Sequence, residues 1–361
     1  MKQQFDLYTA VVLISILLLI ITMADILTNR LTTQKMKLRS VIACLLIAGS
    51  VTGEWIGVLT NGAPASFIGL HRCAKLVEFC LSPAIGAAIA VAYGVVKKPK
   101  IVAAAVTSHA VFECAAFYFN WVFRIDAQNI YHREGMYFVY VTAFIISIIF
   151  CLICIIRSGT EYQTGIDCVL VLTILMTVIG IGIQFVNSNI RIDFLCIAIG
   201  NMLLYSRHYK MVLQVDAVTS LLNRRCYEAN IGNLGPHAAV IFFDINKFKQ
   251  VNDTYGHSVG DICLRNIAQR ISAVYKKHGS CYRIGGDEFC VILNSELDLL
   301  ETMNRQFLAS IEELQKEDTR MPNVALGYAY YNAENSHIQN IIEEADAMMY
   351  KNKQDSRADQ K

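Results

Sequence analysis

Three acids in this sequence have types and spacing that could do chemistry. Asp244 ends the apolar run 238–243, which has the length and continuity of a buried strand. Asp287 and Glu288 follow Gly285 and Gly286 between two short strand-like stretches, 281–284 and 289–293, so the pattern predicts a β-hairpin with the acids at its tip. Two-metal phosphoryl transfer uses such carboxylates to hold hard cations about 3.5–4 Å apart, one activating a hydroxyl and one steadying the leaving group. Adjacent glycines clear side chains from the turn and let its backbone approach a triphosphate. The same residues also suit a plain strand end and a plain turn, and spacing alone does not bring them together.

The elements that would have to position these acids are legible around them. Apolar residues Ile262, Leu264, Ile267, Ile271 and Val274 predict a helix over 258–277. Residues 246–255 are polar, 296–315 are helical in pattern, 324–331 are strand-like, and 338–353 predict a final amphipathic helix. Strand, helix, hairpin, helix, strand, helix implies an α/β sandwich with a mostly antiparallel sheet.

On these residues the sequence resembles the GGDEF-domain diguanylate cyclases. Arg283-Ile284-Gly285-Gly286-Asp287-Glu288-Phe289 looks like that family's signature. Asp216-Ala217-Val218-Thr219-Ser220-Leu221-Leu222-Asn223-Arg224-Arg225 is similar to its opening motif, with Ser220 where Gly is usual. The stretch 244–257 followed by Gly260-Asp261 resembles its substrate stretch, and 345–353 followed by Arg357 resembles its closing helix. The likeness covers about 213–357 and implies an α+β, ferredoxin-like or palm fold that joins two GTP into cyclic di-GMP, one GTP on each of two facing domains. It makes Asp244, the backbone carbonyl of Ile245, Asp287 and Glu288 the ligands of two Mg²⁺ ions per site, with Mn²⁺ able to replace them. It casts Asp287 as the group that helps deprotonate the ribose 3′-hydroxyl. Asn252 and Asp261 fall where the family reads guanine, whose N1 and N2 are donors that suit an acid. Lys249, Lys353 and Arg357 fall where cations bind phosphates, and Gly285 and Gly286 where the chain approaches them.

Departures from the pattern carry expectations of their own. Lys276 and Gly279 occupy the positions of the family's inhibitory Arg-x-x-Asp, so feedback through that site should be absent. Asn246 replaces a frequent second acid, and Ala325-Leu326-Gly327 a usual Ser-Ile-Gly. No Glu-x-Leu phosphodiesterase stretch follows within the 361 residues, so synthesis without hydrolysis is expected.

The remainder of the chain is of another kind. With 54% apolar residues and mean hydropathy +0.39, a single soluble domain is excluded. Of the charged residues, 24 fall in the first 205 positions and 38 in the last 156, which marks a membrane half joined to a soluble half; with the family resemblance this implies a transmembrane sensor domain over 1–205, a short helical linker over 206–215 and a cyclase domain over 216–361. Seven apolar runs, 8–27, 40–59, 76–96, 101–122, 136–156, 167–186 and 192–206, give a membrane α-helical bundle of about seven spans. Ten basic residues follow the odd-numbered runs, among them Arg30, Lys35, Lys37 and Arg39, against six on the other side, which places the N-terminus outside and the C-terminal half in the cytoplasm; the family resemblance implies a bacterial cell membrane.

Glu54, Lys75 with Glu78, and His109 with Glu113 lie in or near the runs; they fit either a pocket for an unknown sensory ligand or pairs that only hold helices together. Pro83 should kink the third span. Cys151 and Cys154 form a C-x-x-C inside an apolar helix and read as buried small residues. Net charge +2 lacks the basic footprint of a nucleic-acid binder. The partners implied are GTP, a second copy of the chain and lipid. The rival readings are a receptor that binds GTP without turnover and a transporter carrying a regulatory domain.

Overall fold

The computed structural model describes residues 2–161, 167–187, 190–235, 238–294, 297–331 and 337–358. The chain divides into two compact units, Met1–Lys210 and Met211–Lys361.

In the first unit, helices α1 (Lys2–Thr28), α2 (Gln34–Thr60), α3 (Ile68–Tyr93), α4 (Pro99–Phe119), α5 (Tyr137–Glu161), α6 (Cys168–Val186) and α7 (Asp193–Gln214) fall on the seven apolar runs. Length and composition qualify five of them, α1 to α5, as membrane spans; α6 has only the shorter apolar stretch Cys168–Gln184. In α7, Arg207, His208 and Lys210 interrupt the apolar run. Of the seven expected spans, five thus qualify by length and composition among the described residues. α3 starts eight residues before the run that foretold it, because Arg72 and Lys75 break the hydropathy of the sequence without breaking the helix. Outward-facing Leu13, Leu17 and Ile20 of α1, Ile145 and Ile149 of α5, and Leu172, Leu175 and Ile179 of α6 form exposed apolar faces that suit lipid rather than water.

Small residues let α2 and α3 approach closely. A Cβ at Gly53 would stand 2.8 Å from the carbonyl oxygen of Ala74, and one at Gly57 would stand 2.8 Å from the Lys75 side chain. Pro83 lies inside α3, where it has no N–H to offer the carbonyl of Phe79 one turn earlier. His109 of α4 reaches that carbonyl instead, at 3.3 Å. Cys151 and Cys154 are buried free thiols. Between α4 and α5 stands a hairpin the sequence did not reveal, β1 (Phe123–Ile125) against β2 (Tyr131–Arg133). Three-residue strands are too short for alternation to show. Phe123 holds the hairpin to α3 by packing edge to face on Phe79.

The second unit contains β3 (Leu222–Asn223), α8 (Arg224–Ile231), β4 (Ala238–Ile245), α9 (Phe248–Tyr255), α10 (His257–Tyr275), β5 (Gly279–Arg283), β6 (Glu288–Asn294), α11 (Leu297–Glu317), β7 (Val324–Tyr330) and α12 (Ile338–Ala358). The sheet order is β3-β5-β6-β4-β7, with β3–β5 parallel and the other pairs antiparallel, so the mostly antiparallel sheet is as expected. Helices cover both faces. One core joins Ile241, Phe243, Phe289 and Val291 to Leu264, Ile267 and Ile271 of α10 and Met303 and Phe307 of α11. The other joins Val240, Phe242 and Cys290 to Ile341, Ala345 and Met349 of α12, with Tyr227 of α8 against it. A side chain at Gly327 would run into backbone atoms of Ala345 and Met349, which is how closely α12 lies on β7.

Candidate active site

Strand phase decides where the first acid goes. Successive side chains of β4 alternate between the two cores: Ile241, Phe243 and Ile245 enter the α10–α11 layer, Val240 and Phe242 the α12 layer. Asp244 continues the even set, so it stands at the strand end on the α12 face, only 6% exposed. Lys353 of α12 meets it there, donating to Asp244 Oδ1 at 2.6 Å.

Antiparallel register supplies the second acid. Glu288, the first residue of β6, is the cross-strand partner of Asp244. Cys290, two residues on, belongs to the α12-side core, so Glu288 points to the same face as Asp244. Asp287 sits in the turn just before, and its carbonyl accepts from the Ile245 N–H at 3.1 Å, which ties the hairpin tip to the end of β4. The turn closes through Ile284 N–H to the Glu288 carbonyl at 3.0 Å. The two glycines of the tip do not adopt left-handed φ. Their contribution is room: a Cβ at Gly285 would stand 2.6 Å from Glu288 Oε2, and Gly286 faces open space.

The three carboxylates repel one another. Burial first, then the negative charge of Asp244, pushes the Asp287 carboxyl above the ordinary carboxylate range, with Lys353 and Arg283 only partly offsetting. Burial, then Asp244, Asp287 and Asp346, does the same to Glu288. Hard oxygen donors with surplus negative charge fit a magnesium ion, which takes one or two carboxylates and fills its remaining positions with water and substrate phosphates. Among the described residues no group of three or more His, Cys, Asp or Glu side chains is arranged to hold a metal ion by itself.

Asn252 lies on α9 and Asp261 on α10, two helices joined at Gly256, whose φ of 85° and ψ of 158° are open to glycine and costly for other residues. A Cβ at Gly260 would collide with the Asn252 side-chain oxygen, so the bare residue before Asp261 makes space for that amide. Lys249 is exposed on α9. No hydrogen bond or ion pair links Lys249, Asn252 or Asp261 to the three acids among the described residues. Arg357 falls within α12, but its side chain lies outside the described residues.

Sequence reasoning missed α9 as a helix and Arg283 as a site residue. The signal for α9 is Phe248, Val251 and Tyr255 at helical spacing within a polar stretch. Arg283 donates to Asp216 Oδ1 at 3.0 Å and to the Gly286 carbonyl at 2.8 Å, fastening the hairpin tip to the turn that opens the unit. No spacing rule relates an arginine to an aspartate 67 residues away. Thr219 also donates to Asp216, from N at 2.9 Å and Oγ1 at 2.8 Å. Burial alone would raise the Asp216 carboxyl, and the hydrogen bonds from Thr219 and Arg283 hold it below its ordinary value. Within this turn Ser220, at the usual glycine position, has φ 60°. At the other departure, Gly279, a Cβ would collide with the carbonyl oxygen of Ile292, so β5 has no room there for an aspartate.

Residues 213–359 match the family model described as diguanylate cyclase, GGDEF domain. The chain is 32% identical over 143 residues to diguanylate cyclase A of Treponema denticola, covering 38% of each chain. It is 30% identical over 170 residues to the uncharacterized protein YhcK of Bacillus subtilis, covering 44% of this chain and 47% of that one. Against the crystal structure of the GGDEF domain of DgcB from Caulobacter crescentus with c-di-GMP, identity is 28%, the TM-score 0.34, and coverage 40% of this chain and 89% of that one. The chain spans less than half the length of the two curated relatives.

Proposed function

We propose, from the GGDEF domain that residues 213–359 form, that this chain is a membrane-bound diguanylate cyclase whose N-terminal helices regulate it. The observation that carries the reading is the strand register that sets Asp244 and Glu288 side by side on the face of α12, with Asp287 next to them.

In this reading each domain holds one GTP, and two domains face each other to complete the reaction. Asp261 accepts from guanine N1 and N2, with Asn252 beside it. Lys249, Lys353 and Arg357 bind the phosphates, Lys353 exchanging Asp244 for a phosphate oxygen. Asp244, the Ile245 carbonyl, Asp287 and Glu288 would hold two Mg²⁺ ions, which would supply Lewis-acid stabilisation of charge on the phosphates and the attacking oxygen. The 3′-oxygen of one ribose attacks the α-phosphorus of the opposite GTP; the new oxygen–phosphorus bond forms as the bond to the bridging oxygen breaks, and pyrophosphate leaves. Asp287, beside the reacting centre, takes the proton of the hydroxyl. Gly279, which excludes an aspartate, and Lys276 leave the enzyme without feedback at the family's inhibitory position. The seven helices of the first unit all cross the cell membrane in this reading, with the basic residues after α1, α3 and α5 placing the cyclase domain in the cytoplasm.

The test is to incubate the purified full-length protein with GTP and magnesium and measure cyclic di-GMP by mass spectrometry, beside the Asp287→Ala protein. Product is expected from the first and a loss on the order of a thousandfold in the second, the scale of several kcal/mol of transition-state stabilisation. GTP binding without product in an enforced dimer would assign the chain to receptors that bind nucleotide without turnover.

A further inference from the structure

The helical unit contains a polar cavity of about 240 Å³ at the end where α2 and α6 finish and α3, α5 and α7 begin. Two acids that the sequence singled out, Glu54 and Glu78, line it, and each has a basic partner: Arg191 at 2.6 Å from Glu54 and Lys75 at 2.7 Å from Glu78. Two lining groups are not balanced in this way. His71 is fully buried, and its Nε2 has no hydrogen-bond partner. Its Nδ1 lies 2.9 Å from Asn129 Oδ1, and the amide of Asn129 is oriented by its own donation to the Thr60 carbonyl at 2.7 Å. Asn129 thereby keeps the proton on Nδ1, so Nε2 of the neutral ring presents a lone pair and calls for a donor. The second group is Arg133 on β2, whose guanidinium stacks on the Tyr137 ring at 4.7 Å and has no carboxylate within ion-pair distance among the described residues.

We infer that this cavity is a binding site for a free α-amino acid. The ligand's ammonium donates to Glu78 and, with the His71 ring turned to open its sealed Nε2 to the cavity, to that nitrogen; its carboxylate meets Arg133, and its side chain lies along Phe79 and Tyr137. The volume is below the range of drug-sized pockets and suits one small molecule. A simple anion would leave the His71 lone pair unmet, and a simple cation would leave Arg133 unmet; a zwitterion answers both. The inference concerns binding and stands apart from the cyclase reading.

The full-length protein in phosphatidylcholine nanodiscs, whose headgroup carries no N–H donor, is titrated with each of the twenty protein amino acids, and with the N-acetyl and α-amide derivatives of any that bind. Heat of binding and the thermal midpoint are followed. At least one amino acid is expected to bind saturably and raise the midpoint, while its two derivatives do not. Arg133→Gln, on an exposed residue, is expected to weaken binding about tenfold or more without lowering the unliganded midpoint, and His71→Gln likewise to weaken binding. Binding by none of the twenty, equal binding of the derivatives, or full affinity in Arg133→Gln would overturn the assignment.

Discussion

The two units treat buried charge in opposite ways. In the helical unit Glu54 is paired with Arg191, Glu78 with Lys75, and Glu113 lies 3.4 Å from His109. In the second unit three carboxylates share one end of a sheet, and among the described residues Lys353 is the cation within ion-pair distance of them. Burial first, and then repulsion, raises two of the three carboxyls above their ordinary range. Surroundings without water favour a partner within the protein for a buried charge, although neither carboxyl oxygen of Glu113 has a hydrogen-bond partner among the described residues. A site that faces solvent can keep surplus charge of one sign, and that surplus is what recruits a cation and, with it, a nucleotide. Balanced charge therefore marks architecture in this molecule, and unbalanced charge marks chemistry.

Lys75→Met is the hardest blow to the balanced side, because it leaves Glu78 alone among helices. Removing one member of a buried pair costs about 3–5 kcal/mol, so thermal unfolding should show a large loss. Lys75→Met with Glu78→Met should recover most of it, since apolar residues of similar volume replace a buried pair at little cost. A double variant as unstable as the single one would mean that the pair does more than cancel charge. On the unbalanced side, Asp261→Ala should leave the fold intact and reduce the preference for GTP over ATP by about tenfold to a hundredfold, the price of one unmet pair of guanine donors. Competition between the two nucleotides measures it.

How much of this was readable in the sequence differs between the same two regions. The strands β4, β5 and β6 and the helices α10, α11 and α12 were legible, because a buried strand is a continuous apolar run and a two-layer helix keeps its period. Asp244, Asp287 and Glu288 were legible as candidates, but their convergence was not, since it depends on β4–β6 register and on the phase of β4 against α12. Arg283 and Asp216 escaped because their meeting is a tertiary event with no local trace. In the helical unit Glu54, Lys75 and Glu78 stood out as charges in apolar runs, whereas His71 and Arg133 did not, one being hidden in a helix start that the hydropathy placed too late and the other in a three-residue strand.

Ser220 carries a smaller effect. Its φ of 60° costs a residue with a Cβ about 1–2 kcal/mol, and Ser220→Gly removes that strain at the price of a looser unfolded chain. The net expectation is a gain of about 1 kcal/mol or less in denaturant unfolding, with the Asp216–Arg283 link unchanged. A loss of stability would show that the serine makes a compensating contact.

The smallest expected effect tests the comparison most directly. Asp287 and Glu288 hold their protons more readily in the folded protein than in the unfolded chain, so in metal-free buffer the folded state loses relative stability as pH rises from the ordinary carboxylate range through their raised values. Asp287→Asn, though inactive, should therefore unfold at a slightly higher temperature than the unaltered protein at neutral pH and show no advantage in acid. Solvent screening keeps the difference small, because Asp287 is only half-buried and Glu288 is exposed. Magnesium should reverse the ranking, stabilising the protein that retains its aspartate and leaving the asparagine form nearly unmoved. If the asparagine form gains nothing in metal-free buffer at neutral pH, the surplus charge is already balanced by Lys353, and the contrast between the two units disappears.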